Sequence, residues 1–338
     1  MSSIKNKNNR CNYLTINEID SSPRLAMKLP PHLAQQYHAI PIASDLRCVT
    51  IAMADPEDPE ARDAIQSAVM IPATLVRADS TAIDSLIAKC YPASASNSLN
   101  FFACKPGPSV WKEQENYIRS FSALFNANLN WFENIEKGKA GYLSLRKEIK
   151  LQNPDLLIIS RAPSDLLRNL CLTQTSKSLA YRCQISLLSI NKPLWPLRKI
   201  LLVLQNDLSD ACAVEWAVRL ARSSQATLTL LPILPPVPSM YADLQYDLSS
   251  LLVSNCPLGR HLRRVARHLV DWEIQGTFKI RDEYPEWQIQ SEVNEGEFDL
   301  LILGADHQNI FRDLMIKDLV LPILDWAPSP VLITQTIH

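Results

Sequence analysis

An acid and an imidazole follow one of the most apolar runs in the chain: Asp306 and His307 come just after residues 299–303 and Gly304. At the carboxyl end of a buried strand, where open α/β sheets receive ligands, such a pair could exchange a proton with a substrate. No nucleophile with a partner base is legible beside them, so a polar loop is the simpler reading and catalysis is not expected. A second group is basic: Arg260, Arg263, Arg264 and Arg267, with His261 and His268, crowd residues 258–270. They could contact a phosphate or an acidic partner. The same spacing places Leu262, Val265, Ala266 and Leu269 on the other side of a helix, so a solvated face is the preferred reading. A third group, Gly138-Lys139-Ala140-Gly141 after Lys137, has the outline of a G-x-x-G loop that clamps nucleic acid. A lone tetrapeptide of this kind reads more simply as a turn between strand and helix.

Other chemistries are disfavoured by composition. The 8 cysteines (Cys11, Cys48, Cys90, Cys104, Cys171, Cys183, Cys212 and Cys256) are scattered, with no C-x-x-C and no histidine at metal-ligand spacing. Several lie in apolar runs and are expected as reduced, buried thiols, with no metal. A formal net charge of -1 gives no global basic field, and no nucleic-acid partner is expected. Residues 1–20 are polar, without the apolar stretch of a leader, and no run of ~18 apolar residues occurs, so a cytoplasmic chain without a membrane span is expected. Only 7 of 338 residues are glycine, where about 7% is usual. Phosphate-cradling loops need glycine because the backbone approaches the ligand at positive φ. No G-x-x-x-x-G-K-[ST] occurs, which excludes a P-loop ATPase.

The elements that would position these groups fall into three blocks behind a lead-in at residues 1–23. In residues 24–93, a helix at Leu33, Ala34 and Tyr37 precedes two short strands (39–42 and 48–53). Asp58 can cap a helix starting at Pro59, and a strand at 73–76 and a helix at 81–91 follow. After a polar linker at 94–98, residues 99–191 alternate strands (100–104, 128–135, 155–160, 185–190) with helices (111–125, 141–151), as a parallel sheet requires. Residues 197–335 have the clearest rhythm: strands at 199–204, 226–233, 272–280, 299–303 and 331–334, and helices at 211–222, 258–270, 286–294 and just after Asp318. In the first helix Val214, Ala217, Val218 and Ala221 fit i, i+3, i+4, i+7. The reading is α/β: doubly wound parallel-sheet domains preceded by a small α+β module.

Two resemblances sharpen this. Leu29-Pro30, Leu33-Ala34, Tyr37, Pro41 and above all Ala52-Met53-Ala54-Asp55-Pro56 resemble the C-terminal half of the N-terminal domain of type II secretion and type IV pilus ATPases. In that family preceding helical segments rich in R-L-G bind cyclic di-GMP. The stretch before Leu29 holds no R-L-G, so the resemblance implies a small interaction fold and does not carry nucleotide binding over.

Residues 198–334 resemble universal stress proteins. Arg198-Lys199-Ile200-Leu201-Leu202-Val203-Leu204 and the run 207–234 are similar to that family's first strand, first helix and second strand. The runs 297–307 and 323–333 are similar to its fourth strand with loop and its final helix with strand. Residues 153–163 and 175–190 parallel the same two segments, an internal repeat of about 145 residues between Asp155 and Asp299. The resemblance therefore implies a degenerate first copy in residues 99–191, with the two copies packed as a pseudo-dimer.

Family members that bind ATP carry an acidic residue after the first strand and a G-x-x-G-x9-G-[ST] loop. Here the acidic position falls on Gln205, the second glycine on His307, the third on Lys317 and the Ser/Thr on Asp318; Gly304 alone keeps the family residue. Asp318 precedes Leu319-Val320-Leu321-Pro322, where its carboxylate can cap the helix and take the place of a phosphate. The expectation is a non-catalytic regulatory or adaptor protein, without a cofactor and with an unidentified protein partner. It would be a monomer with an internal pseudo-dimer, or a homodimer. The alternatives are an ATP- or AMP-responsive sensor and a cyclic-dinucleotide receptor. The possible ligand contacts are Gln205, Gly304, Asp306, His307, Lys317 and Asp318; the possible partner contacts are Arg260, Arg263, Arg264 and Arg267.

Overall fold

The structure, a computed structural model, describes residues 15–16, 19–44, 48–91, 99–105, 111–132, 139–160, 185–205, 210–234, 247–281, 284–304 and 320–335. The chain divides into two compact units, Met1–Ala93 and Ser94–His338.

The first unit is a four-stranded sheet of order β1-β4-β3-β2, with β1 Thr15–Ile16, β2 Ala39–Ser44, β3 Val49–Met53 and β4 Ala73–Ala78. The hairpin β2–β3 is antiparallel, while β3 and β4 are parallel and joined through the helix α3 Pro59–Ala68. Helices α1 Pro23–Ala26, α2 Pro31–Gln36 and α4 Ser80–Cys90 complete it. Asp58 caps α3 as expected, accepting from Glu60 N–H at 2.9 Å. Asp79 does the same for α4 through Ala82 N–H at 3.1 Å. Tyr91, just past α4, ties the unit together: its hydroxyl reaches the carbonyls of Ala26 and Leu29 at 2.6 and 2.9 Å. Burial raises that hydroxyl's pKa far above the ordinary phenol value. Residues 1–23 are not wholly a lead-in. Thr15 and Ile16 pair in parallel with Arg77 and Ala78, since the open edge of β4 offers its backbone groups to any short extended segment.

The second unit is one nine-stranded sheet. Its strands are β5 Asn100–Cys104, β6 Asn128–Phe132, β7 Leu156–Ser160, β8 Ser186–Ile190, β9 Lys199–Leu204, β10 Thr227–Pro232, β11 Gly276–Phe278, β12 Leu300–Gly304 and β13 Val331–Thr334. Their order is β11-β10-β9-β12-β13-β8-β7-β5-β6. Every pairing is parallel except β13 with β8, where Leu332 faces Leu188. Two parallel half-sheets thus meet along their last strands, which run in opposite directions.

The registers relate the halves quantitatively. Phe101 pairs with Leu156 as Ile200 pairs with Leu300, and Asn128 with Asn100 as Thr227 with Lys199. The first two strands of each half are therefore offset by 99 in numbering (101 to 200, 128 to 227), and the later ones by 144 (156 to 300). The difference of 45 residues lies between second and later strands, where the C-terminal half carries the helices α8 Leu248–Val253 and α9 Pro257–Asp271 and the strand β11. The middle half has the single helix α6 Lys139–Gln152 among its described residues there.

Helices cover both faces. On one, Leu145 and Ile149 of α6 share a core with Ile289 and Val293 of α10 Pro285–Gly296, Ile323 of α11 Val320–Trp326, and Leu157, Leu187, Leu201, Leu301 and Ile333 of the strands. The other face packs α5 Trp111–Ala123 and α7 Asp210–Ser224: Phe101 lies 6.2 Å from Phe121 and 6.3 Å from Trp216, ring centre to ring centre. A buried charge network fixes α10, where Glu292 is fully buried against Lys279 at 2.7 Å and Arg281 Nε at 2.9 Å.

The shortage of glycine shows in the backbone. His38, Asn126, Asn153, Gln225, Glu273 and Glu297, each just past a helix, adopt φ between 41° and 57°. That region normally costs a residue with a Cβ about 1–2 kcal/mol. Glu273 also explains why the strand expected at 272–280 shrinks to β11. Trp272 N–H closes α9 by donating to His268 O at 3.1 Å, and the left-handed residue then redirects the chain. Among the described residues no helix is long and apolar enough to cross a membrane.

Candidate functional site

In the C-terminal half the connection from β9 runs through α7 to β10 on one side, while β12 flanks β9 on the other. The boundary between β9 and β12 is therefore the switch point, outside whose carboxyl ends such sheets receive ligands. Gln205 follows β9 directly. Its side-chain Nε2 donates to the carbonyl of Gly304, the last residue of β12, at 2.6 Å. Its backbone N–H donates to Asp210 Oδ1 at 2.8 Å. Gln205 thus stitches the two strand ends together where they would otherwise part.

Asp210, the first residue of α7, is fully buried. Its second oxygen, Oδ2, takes a hydrogen bond from His261 Nε2 at 2.8 Å, and the His261 side chain is only 14% exposed. His261 is held there by the junction of α8 and α9. Arg263 donates to the carbonyls of Leu252 and Ser254 at 2.5 and 2.7 Å, and Arg260 to that of Asn255 at 2.5 Å. The helices approach so closely at Gly259 that an added Cβ would stand 2.2 Å from Leu251 O. Cys256 caps α9, its sulfur 3.0 Å from Ser254 Oγ and accepting from Gly259 N–H at 3.2 Å. The Ser254 hydroxyl first, and then the Gly259 amide, hold this thiol's pKa below the ordinary value.

On the other side of β12, Gln335 follows β13 with 1% exposure. Its N–H reaches Ser186 Oγ at 3.2 Å and its carbonyl accepts from Cys212 Sγ at 3.3 Å. Among the described residues neither atom of its side-chain amide has a hydrogen-bond partner. Among the described residues no group of three or more His, Cys, Asp or Glu side chains could hold a metal ion.

Of the residues singled out from sequence, Gln205 and Gly304 come together. Asp306, His307, Lys317 and Asp318 lie outside the described residues, as does Gly138 of the G-x-x-G outline. Arg260 and Arg263 turn out to brace a helix junction, while Arg264 and Arg267 are exposed. The Asp210–His261 pair was missed. Asp210 reads as an ordinary helix start and His261 as one more member of a basic run; no local signal joins residues 51 apart.

Comparison with family models matches residues 196–335 to the universal stress protein family and residues 9–97 to the MshEN domain. Residues 196–335 are a universal stress protein domain. The MshEN match, which is to the N-terminal domain of secretion ATPases, begins ahead of β1 and so includes that strand. The chain matches no curated protein. Among solved structures, a universal stress protein from Archaeoglobus fulgidus DSM 4304 aligns over 87% of this chain and 99% of its own at 9% identity, TM-score 0.45. A functionally unknown protein from Pseudomonas aeruginosa PAO1 aligns over 85% and 91% at 13% identity, TM-score 0.41. The N-terminal domain of XpsE aligns over 22% of this chain and 47% of that one at 27% identity, TM-score 0.17.

Proposed function

We propose that this chain is a non-catalytic regulatory or adaptor protein of the universal stress protein type that works without bound nucleotide. The observation that carries the reading is the Gln205–Gly304 hydrogen bond across the switch point. A ligand entering there must break it, at a net cost of about 1 kcal/mol. It must also meet the buried Asp210 carboxylate, which would oppose a phosphate held about 4 Å away by roughly 4 kcal/mol at an effective dielectric of 20. His261 offsets part of that when protonated. The glycine loop, reduced in sequence to Gly304, supplies little in return.

In the same reading residues 99–191 are a second, shortened universal stress protein copy. The support is the repeated strand order and the antiparallel seam at Leu188 and Leu332. The seam uses the last-strand edges of both halves within one chain, so a protein partner would meet other surfaces. The MshEN-like unit would be one of these, in a cytoplasmic setting. Titration calorimetry of the full chain with Mg-ATP and AMP, beside analysis of the purified protein for retained nucleotide, tests the proposal. Negligible binding fits it; micromolar affinity or co-purifying nucleotide would replace it with the sensor reading.

A further inference from the structure

A carboxylate with no exposure, such as Asp210, is a costly thing to fold into a core unless strong donors surround it. Both its oxygens are engaged, one by the Gln205 backbone N–H and one by His261 Nε2, each at 2.8 Å. A backbone amide and an imidazole on separate elements are the donors that proteins aim at small oxyanions. The middle half supplies a contrast. The offset of 99 puts Trp111, first residue of α5, at the position of Asp210, first residue of α7. The 45 residues by which the C-terminal half is longer include His261. Carboxylate and imidazole are therefore present together in one half and missing together from the other.

We propose that Asp210 is an internal ligand: its carboxylate fills an anion site at the switch point, and removing it turns the crevice into a receptor for a small oxyanion. The inference rests on the nucleotide-independent reading and gives it a cause, the site being occupied by the chain itself. The sequence suggested such an occupant in Asp318, which lies outside the described residues; Asp210 lies within them.

The test is thermal unfolding of the full chain in sodium formate against sodium chloride at equal ionic strength. The wild type should melt at the same temperature in both. Asp210→Ala should melt lower in chloride, and about 100 mM formate should return a saturable part of the loss, on the order of 4 °C. Adding His261→Ala should abolish that return. An Asp210→Ala protein that folds but ignores formate would overturn the inference, as would a wild type equally responsive to it. If Asp210→Ala does not fold in chloride, recovery in formate supports the inference and failure to recover overturns it. Titration with Mg-ATP separates the two claims: ATP binding by the wild type removes the functional reading, whereas a formate-blind variant beside an ATP-blind wild type removes this inference alone.

Discussion

Asp155 and Asp299 do the same work in the two halves of the sheet. Each immediately precedes a strand and takes the backbone N–H that opens the neighbouring first strand, from Asn100 and from Lys199, both at 2.9 Å. Asp299 also accepts from Arg198 N–H at 2.7 Å. Asp299→Ala should therefore destabilise the chain by about 1–2 kcal/mol, since charge-assisted bonds are lost in a partly solvated setting. Urea midpoints at unchanged m-value would show it. A harmless Asp299→Ala would argue against these bonds as a source of stability.

Asp210 and His261 should behave as a pair. Asp210→Ala leaves the histidine and the Gln205 amide facing an emptied site and should cost about 3 kcal/mol. His261→Gln, which can still donate to the carboxylate, should cost less than His261→Ala. Denaturant unfolding of the three variants checks the ranking; a harmless Asp210→Ala would mean that the carboxylate contributes nothing to holding α7 against α9.

Gln225 is exposed and sits at φ 56° just past α7. Glycine removes the clash between Cβ and backbone there, so Gln225→Gly should stabilise the protein by roughly 1 kcal/mol despite the greater freedom of its unfolded state. The measurement is the urea midpoint. A loss of stability would show that some contact of the side chain outweighs its backbone strain.

Cys256 should alkylate at lower pH than Cys90. Ser254 and Gly259 stabilise the Cys256 thiolate and lower its pKa, whereas burial raises that of Cys90. The thiolate is the reactive form, so Cys256 reaches its half-maximal rate below the ordinary thiol range and Cys90 above it. The same shift stabilises the fold above the ordinary thiol pKa, and that contribution is lost as pH falls through the lowered, folded value. Iodoacetamide labelling followed by peptide mass analysis across pH would reverse the order of the two sites if the bonds to Cys256 do not form in solution.

Most of the fold was legible because its signals are local. Continuous apolar runs such as Ile200–Leu204 mark strands buried on both faces, and Asp58 before Pro59 marks a helix start. The short elements were not legible. Thr15 and Ile16 become a strand only because β4 offers an edge, and α8 has no buried residue to give it a period. At the site, Gln205 and Gly304 could be found because each ends a recognisable strand. The Asp210–His261 bond could not, since it depends on how closely α8 and α9 pack around Gly259, which neither residue's neighbours in sequence reveal.

The most direct measurement is calorimetric titration of the wild-type full chain with Mg-ATP, beside the Gln205→Asp variant that restores the family's acidic residue. With the strand ends tied by Gln205 and the anion site held by Asp210, the wild type should give no saturable heat, and the single substitution should not restore binding. Micromolar ATP affinity in the wild type would contradict the closed crevice outright.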